Sequence, residues 1–230
     1  MMLQITDLKG GYIRDHNILK SLDLTVSRGE AVGIIGLNGS GKSTLGKAIM
    51  NILPFRNGGI LFNGVDITKR TPQELSELGI AFFMQGGKVF DELSVWENLL
   101  ISAKKESDIT EIQRYFMLLS VPKRQLAQMR ADKLSGGERH QLALAMCLLK
   151  NPTFLILDEP SAGLSPKAVD AMYMTLQAIR EEKDLTILLI EQNVAKALGF
   201  CDSVRLLREG KVKYSFENKD LKEIEIIMFN

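Results

Sequence analysis

Residues 36–44 constrain the fold of this chain more than any other segment, because they fill every fixed position of the phosphate-binding motif G-x-x-x-x-G-K-[ST]. A short apolar strand, 31–35, precedes the motif, and a helix over 45–50 follows it. In that setting the glycines let successive backbone N–H groups point at phosphate oxygens, and the helix start adds partial positive charge. Lys42 can reach the terminal phosphates of a nucleotide, and the Ser43 hydroxyl can bind Mg²⁺. The motif therefore predicts a nucleotide-phosphate site.

Two adjacent acids, Asp158 and Glu159, end the apolar segment 154–157. Open α/β sheets place their ligand chemistry at the carboxyl ends of parallel strands. Asp158 fits the acid that holds Mg²⁺ through water, and Glu159 is placed to polarise an attacking water. Acids are also common where ordinary strands end, so the phosphate loop upstream is what gives this pair its significance.

A second candidate anion site lies at residues 135–138. Ser135 and Glu138 have the spacing of a capping box, which is also the pattern of simple helix initiation. The two glycines between them leave backbone N–H groups bare, and such a helix start binds anions. Because the chain has one phosphate loop, a second phosphate site implies a second nucleotide or a second subunit.

The composition is that of an ordinary globular protein, with 230 residues, 45% hydrophobic and 25% charged. A formal net charge of +1 gives no bulk electrostatic basis for binding nucleic acid. The apolar runs are far shorter than the roughly 18 residues that cross a bilayer, and the first residues do not resemble a signal peptide. We expect a cytoplasmic protein that acts at a membrane only through a partner. Cys147 and Cys201 lie in apolar contexts, so we expect buried free thiols.

Alternation of apolar and polar residues predicts that the first part of the chain is rich in strands. A break at Gly58-Gly59 and a hairpin turn at Asn63-Gly64 punctuate this part. The predicted strands are 3–8, 18–26, 60–62 and 80–84.

Capping boxes and helical spacing predict helices in the middle of the chain. Thr71 is followed by proline and then by glutamate three residues on, and Ser94 precedes Glu97 at the same spacing. Residues 109–119 show helical spacing of apolar side chains, and no strand is indicated between 86 and 133. We therefore predict an α-helical insertion over approximately 86–133.

An α/β pattern returns after this insertion. A helix is predicted from Ser165-Pro166 onward, and a hairpin is predicted around Glu209-Gly210. No internal repeat is present in the sequence. The predicted strands are 154–157, 186–190, 204–207 and 212–216, and the apolar face of the helix comprises Val169, Met172, Leu176 and Ile179.

Together these motifs resemble the ATP-binding subunit of an ABC transporter, over a region from Leu3 to Lys213 or beyond. A phosphate loop alone is shared by many enzymes, but its combination with the segments 135–138, 158–159 and 161–165 in this order is specific. The resemblance implies one α/β cassette, 1–230, with a P-loop NTPase core, an N-terminal antiparallel β subdomain and an inserted α-helical subdomain. It also implies ATP and Mg²⁺ as bound species.

The resemblance further implies roles for single residues. Tyr12 resembles the aromatic residue that stacks on adenine, although a tyrosine that packs in a turn is the alternative. Segment 161–165 resembles the loop that couples two sites across a dimer. The implied ATP-binding residues are Tyr12, Gly36, Asn38, Gly39, Ser40, Gly41, Lys42, Ser43, Thr44 and Gln85. The implied Mg²⁺ ligands are Ser43, Gln85 and, through water, Asp158, and the implied catalytic residues are Glu159 and Gln192. The signature that contacts ATP of the opposite subunit comprises Ser135, Gly136, Gly137 and Glu138.

One position departs from the family pattern. The family's switch residue after the last core strand is usually histidine, and Gln192 stands there in this chain. A neutral amide can still donate to a phosphate oxygen, but it cannot be protonated, so the departure weakens a histidine proton relay. The sequence Glu191-Gln192-Asn193, with segment 161–166, is similar to one of the two ATPases of branched-chain amino acid importers.

The implied function is ATP hydrolysis by a head-to-tail pair that powers a partner permease, with import of branched-chain or other amino acids. The implied partners are permease subunits, a second ATPase subunit of the same or a related chain, and for an importer a solute-binding protein. The implied location is the inner face of the cell membrane. The alternatives are an ATPase of a lipid or polysaccharide exporter, a non-transport ABC ATPase, and a nucleotide-gated regulatory subunit in which Gln192 marks slow hydrolysis. A small-molecule kinase would have no use for segment 135–138.

Overall fold

A computed structural model describes residues 1–103, 105–116, 119, 121–217 and 221–229. Two sheets carry the strands, and helices pack beside them. The strands are β1 (Leu3–Gly11), β2 (Leu19–Val26), β3 (Ala31–Ile35), β4 (Phe55–Phe62), β5 (Val65–Asp66), β6 (Ile80–Phe83), β7 (Phe154–Asp158), β8 (Thr186–Ile190), β9 (Ser203–Arg208) and β10 (Lys211–Phe216). The helices are α1 (Lys42–Ile49), α2 (Pro72–Glu77), α3 (Val95–Ser102), α4 (Glu106–Gln113), α5 (Lys123–Leu126), α6 (Gly136–Leu148), α7 (Pro166–Lys183), α8 (Val194–Phe200) and α9 (Leu221–Phe229).

The first sheet is antiparallel, with the strand order β2-β1-β4-β5. The predicted turn at Asn63-Gly64 is confirmed, since both residues have positive φ and join β4 to β5. The predicted break at Gly58-Gly59 is wrong, because both glycines lie inside β4. Gly58 has φ of 109° where the β1–β4 register shifts, so this glycine forms a bulge rather than the end of a strand.

The second sheet has the order β10-β9-β3-β8-β7-β6 and is parallel except for the β9–β10 hairpin. Strands β3, β7 and β8 are buried at every position, which explains their continuous apolar sequences. Their carboxyl ends lie at one edge of the sheet. The phosphate loop, the acids after β7 and the residues after β8 are therefore brought to the same edge.

For the helices between β6 and β7, the predicted capping boxes are confirmed, whereas the predicted bounds of one helix are wrong. Ser94 caps α3 and Ser135 caps α6, each with the glutamate three residues later. Helix α4 covers 106–113 rather than 109–119. It begins early because the backbone N–H of Lys105 donates to Asp108 in its first turn. Met117 and Leu118 lie outside the described residues. No strand is present between 86 and 133 in the described part of the chain, and the subdomain boundary there remains a prediction.

The core consists of two clusters of buried side chains, one against each face of the second sheet. Phe62 of the first sheet and Phe154 of the second lie with ring centroids 5.9 Å apart and join the two sheets. Full burial of one such ring stabilises the fold by about 2–3 kcal/mol. None of the described helices has the length and apolar character needed to cross a membrane.

Candidate functional site

The phosphate loop connects β3 to α1. Gly41 caps α1 with φ of 106°, and no side chain of the described residues caps this helix end, so its first N–H groups are available to an anion. Gly36 passes so close to the backbone of Leu207 that a Cβ atom would lie 2.3 Å from the Leu207 oxygen. The loop therefore needs glycine at position 36 for close packing and at position 41 for its left-handed backbone.

Two polar groups of the loop test whether a phosphate would fit there. The Ser40 Oγ atom is buried and has no hydrogen-bond partner among the described residues. Lys42 Nζ donates to the carbonyl oxygens of Gly36, at 2.8 Å, and Leu37, at 3.2 Å. Burial lowers the pKa of Lys42, while the negative charges of Glu159 and Asp158 oppose that shift. An anion with several acceptor oxygens would satisfy both groups, so the loop fits a phosphate.

The two acids at the end of β7, Asp158 and Glu159, form different contacts. Asp158 is 2% exposed, and its Oδ1 accepts a hydrogen bond of 2.9 Å from Ser43 Oγ. Burial raises the pKa of Asp158, and the hydrogen bond from Ser43 opposes this effect. The N–H of Glu159 donates to the Ile190 oxygen at 2.9 Å and so stays beside β8, while its positive φ of 45° changes the direction of the chain at this residue.

Gln85 follows β6 and contacts the second of these acids. Its Nε2 atom lies 2.6 Å from Oε2 of Glu159, to which it donates a hydrogen bond. Residues that are 74 positions apart in the sequence thus meet over the phosphate loop. An open cleft of about 540 Å³ is lined by Ile18, Asn38, Gly39, Gly41, Lys42, Ser43, Thr44, Gln85, Glu159 and Gln192.

Tyr12 and segment 135–138 do not line this cleft. Tyr12 is 43% exposed, and Lys47 of α1 donates to its hydroxyl oxygen at 3.1 Å with the ammonium 5.2 Å from the ring centroid. The ring therefore lies beside α1, and its predicted contact with adenine stays a prediction. Ser135 and Glu138 form the capping box of α6, in which the Ser135 hydroxyl lies 2.7 Å from Oε2 of Glu138.

The described residues contain no group of three histidine, cysteine or acidic side chains arranged to hold a metal ion. Ser43 and Asp158 nevertheless offer two oxygen atoms beside the phosphate loop. Mg²⁺ is commonly held by one or two protein oxygens together with substrate phosphates and water, and this arrangement fits that pattern.

Sequence reasoning missed two residues of this region. Ile18 lines the cleft, and nothing in the sequence distinguishes it from any apolar residue before a strand. Glu191 follows β8 and is 2% exposed, with its carboxylate facing the adjoining loops. Its signal was an acid directly after an apolar strand, the same pattern that singled out Asp158.

Comparisons with known proteins agree with this geometry. A protein-family model described as "ABC transporter" matches residues 19–162. A probable branched-chain amino acid transport ATP-binding protein, LivF, of Archaeoglobus fulgidus is 38% identical over 97% of this chain and 95% of its own length. The lipopolysaccharide export system ATP-binding protein LptB of Escherichia coli K12 is 29% identical over 86% of this chain and 83% of its own length.

A solved ATP-binding cassette of an ABC transporter in its ADP conformation has the same fold, with a TM-score of 0.83 and 25% identity over 100% of this chain and 99% of that one. The predicted fold class, a P-loop NTPase core with an antiparallel β subdomain and an inserted helical subdomain, is confirmed. The phosphate loop in its structural setting, the family match and the near full-length similarity agree. The chain therefore belongs to the ABC transporter family, as an ATP-binding subunit that hydrolyses ATP.

Proposed function

We propose that the chain powers the import of branched-chain or other amino acids through a partner permease. The observation that carries this proposal is the 38% identity to LivF of Archaeoglobus fulgidus over 97% of the chain. The name of that relative assigns it to branched-chain amino acid transport. The geometry of the cleft supports the chemical step, and the similarity supports the cargo class.

The phosphate loop holds the phosphates of the substrate ATP. Lys42 would exchange its carbonyl partners, Gly36 and Leu37, for β- and γ-phosphate oxygens. This exchange is favourable because a buried ammonium gains more from an anion than from a neutral carbonyl. The Ser40 hydroxyl, which has no hydrogen-bond partner among the described residues, and the N–H groups at the start of α1 supply further donors.

Three side chains would hold Mg²⁺ beside these phosphates. Ser43 would bind the ion through its hydroxyl, Asp158 through a water molecule, and Gln85 through its side-chain oxygen. When bound, Mg²⁺ neutralises charge on the phosphate oxygens and holds them in a fixed geometry. The hydrogen bond of 2.9 Å between Ser43 and Asp158 keeps two of the three side chains next to each other.

Glu159 is the proposed general base. Its carboxylate lies in the cleft, where Gln85 Nε2 holds it at 2.6 Å, and it would accept a proton from the water that attacks the γ-phosphate. Gln192 lines the same cleft and would donate its amide N–H to a γ-phosphate oxygen. Because an amide does not gain a proton, Gln192 contributes orientation and hydrogen bonding rather than proton transfer.

A head-to-tail pair of ATPase subunits would complete each site. Segment 135–138 contains the start of α6, a kind of helix end that suits an anion, but none of its residues lines the cleft of its own chain. In a pair, Ser135, Gly136 and Gly137 would reach the γ-phosphate in the partner's cleft. ATP would then join the two halves and hydrolysis would separate them, as in a two-state switch set by γ-phosphate contacts.

The helical region 86–133 is the proposed docking surface for the permease, which would hold the subunit at the inner face of the cell membrane. A solute-binding protein would select the cargo outside. With a formal net charge of +1, the chain has no bulk electrostatic attraction for nucleic acid.

Purification of the tagged chain from gently solubilised membranes, followed by reconstitution of the recovered complex in vesicles, tests the proposal. We expect a permease, a related ATPase and a solute-binding protein to co-purify, and leucine uptake to require internal ATP. Glu159→Gln in the same complex should keep ATP binding and abolish uptake. Recovery from the soluble fraction alone, or a complex that moves no amino acid, would contradict the proposal.

A lipid or polysaccharide exporter is the second candidate, because LptB of Escherichia coli is 29% identical over 86% of the chain. The two candidates differ in direction and in partners. An exporter would co-purify without a solute-binding protein, and its ATPase activity would respond to lipid rather than to a loaded binding protein.

A further inference from the structure

A buried carboxylate with four hydrogen-bond donors lies at the end of β8. Glu191 is 2% exposed. Its Oε1 atom accepts from Tyr173 Oη at 2.9 Å and from the backbone N–H of Ser161 at 3.4 Å. Its Oε2 atom accepts from the backbone N–H groups of Gln192, at 3.0 Å, and Asn193, at 3.2 Å. The four donors come from α7, from the loop after β7 and from the loop after β8.

The chemistry of these contacts favours a carboxylate. An ionised carboxylate only accepts hydrogen bonds, and its two oxygens offer enough lone pairs for all four donors. Burial and the neighbouring Glu191 both raise the pKa of Tyr173 strongly, so the phenol stays protonated and donates. Several donors offset the cost of removing a carboxylate from water, which makes this site costly to alter by even one atom.

Glu191 lies between two loops that reach the nucleotide cleft. The next residue, Gln192, lines the cleft together with Glu159. Ser161 follows Glu159 by two positions and begins segment 161–165. The backbone N–H of Glu191 also donates to the Ile34 oxygen at 3.0 Å, so the backbone of this residue is tied to the strand that leads into the phosphate loop.

We propose that Glu191 is a positioning residue for ATP hydrolysis: its carboxylate clamps the backbone of Gln192 to the start of segment 161–165, and thereby aims the Gln192 amide at the phosphate end of the cleft. The proposal rests on the role of Gln192 given under the proposed function. Glu191 itself lies behind the cleft wall and touches no reacting atom. Its effect is therefore on orientation, which governs kcat more than nucleotide binding.

Steady-state ATP hydrolysis by the full-length chain tests this inference. Glu191→Gln keeps the shape of the side chain but turns an NH₂ group toward one pair of N–H or O–H donors. We expect kcat to fall about ten- to hundredfold while KM stays within about twofold, because a small misplacement of a positioned group has an effect of this size on the rate. Gln192→Ala should lower kcat as well, and the double variant should lose no more than the larger single loss, because the two residues act as one unit.

Glu30→Gln is the matched control. Glu30 is a half-buried acid at the opposite, amino end of β3, where it accepts from Ser27 N at 2.8 Å and from Ser203 Oγ at 2.9 Å. Its substitution removes similar hydrogen bonds away from the cleft, so kcat should stay at the wild-type value. Tyr173→Phe removes one of the four donors of Glu191 and should lower kcat by a few-fold at unchanged KM.

The outcomes separate this inference from the proposed function. A wild-type kcat in Glu191→Gln overturns the inference alone, as does a loss that adds fully to that of Gln192→Ala or one confined to KM. A wild-type kcat in Gln192→Ala contradicts the proposed role of Gln192, and the inference falls with it. Should Glu191→Gln fail to fold, Tyr173→Phe decides: lowered kcat at unchanged KM supports the clamp, and unchanged kcat overturns it.

Discussion

The Oγ atom of Ser43 donates a hydrogen bond of 2.9 Å to Oδ1 of Asp158 and joins the first turn of α1 to the carboxyl end of β7. The two residues are 115 positions apart in the sequence, and this contact brings the phosphate loop and the acid together before any nucleotide is considered. The same contact opposes the rise that burial causes in the pKa of Asp158. A contact within the candidate site therefore also affects the stability of the fold.

Removal of the Ser43 hydroxyl should show how much this group contributes to ATP hydrolysis. We expect Ser43→Ala to lower Mg²⁺-dependent ATP hydrolysis about a hundredfold, because loss of one positioned group that stabilises charge typically has that effect. Ser43→Thr keeps the hydroxyl and should retain most activity. Titration of hydrolysis with Mg²⁺ measures the change, and an unaltered Mg²⁺ dependence in Ser43→Ala would refute the role of this residue.

Asp158 should make stability depend on pH. Burial raises the pKa of Asp158 in the folded state above the ordinary value of 3.8 that holds in the unfolded chain. Between these two pKa values the native protein binds more protons than the unfolded chain does. Stability is therefore lost as pH rises through the folded-state pKa. We expect Asp158→Asn to raise the Tm of the nucleotide-free protein at pH 7, by roughly 2–4 °C per kcal/mol regained, while hydrolysis is lost.

Thermal melts at a series of pH values check this sign. The gain in Tm from Asp158→Asn should shrink as pH falls toward the unfolded-state pKa of 3.8, because the wild-type carboxyl then takes up a proton in the folded state, and the gain should vanish well below 3.8, where both states are protonated. A gain that grows toward acid, or a loss of Tm at pH 7, would mean that the charged form of Asp158 stabilises the fold.

Lys42 should contribute mainly to nucleotide affinity. Lys42→Ala removes the ammonium that now donates to Gly36 and Leu37, and we expect the Kd for ATP to rise at least about tenfold, as the loss of one charge-assisted hydrogen bond implies. Lys69→Ala, at an exposed lysine after β5, is the control with the same change of charge. Calorimetric titration with ATP measures both, and equal affinities would remove Lys42 from the site.

The sequence predicted those parts of the site that depend on local pattern. Residues 36–44 are continuous in the sequence and run from the phosphate loop into the first turn of α1, and Asp158 is the last residue of the apolar strand β7, so local spacing alone was enough to single them out as candidates. Three capping boxes of serine or threonine with glutamate were also predicted and confirmed, because both hydrogen bonds of such a box form within four consecutive residues.

Contacts between segments that are far apart in the sequence could not be predicted from local patterns. The carboxylate of Glu191 accepts hydrogen bonds from Tyr173 and Ser161, which are 18 and 30 positions away in the sequence. No local pattern indicates those contacts. The break predicted at Gly58 failed for a related reason, since a glycine bulge and a strand end have the same local sequence and only the pairing with β1 distinguishes them.

The two cysteines should react slowly in the native protein. Neither forms a disulfide. Cys201 is 0% exposed, whereas Cys147 is only half-buried, which departs from the expectation that both thiols are buried. Desolvation of its sulfur nevertheless raises the pKa of Cys147 to about 12, so little reactive thiolate is present at pH 8. Iodoacetamide at pH 8 should modify both quickly in denaturant and hardly at all in buffer. Modification of the native protein at the rate of free cysteine would show that the thiols are accessible.

The capping boxes offer a comparison within one chain. Ser135 and Thr71 each accept a hydrogen bond from the backbone N–H of the glutamate three residues later, at 3.4 and 3.3 Å. Loss of either side chain should cost about 1 kcal/mol of stability, the usual value for a helix N-cap. The two caps differ in function, because only Ser135 belongs to the segment proposed to face the partner's nucleotide.

Ser135→Ala and Thr71→Ala should therefore lower Tm by similar amounts, while only Ser135→Ala lowers ATP hydrolysis. The hydrolysis defect should appear at protein concentrations where two chains associate, because in the proposed pair Ser135 acts on ATP bound to the other chain. Mixing Ser135→Ala with Lys42→Ala gives the decisive measurement. In a mixed pair one site carries both changes and the other carries neither, so activity should partly return. If the mixture shows no gain over either variant alone, Ser135 acts within its own chain and the head-to-tail arrangement is wrong.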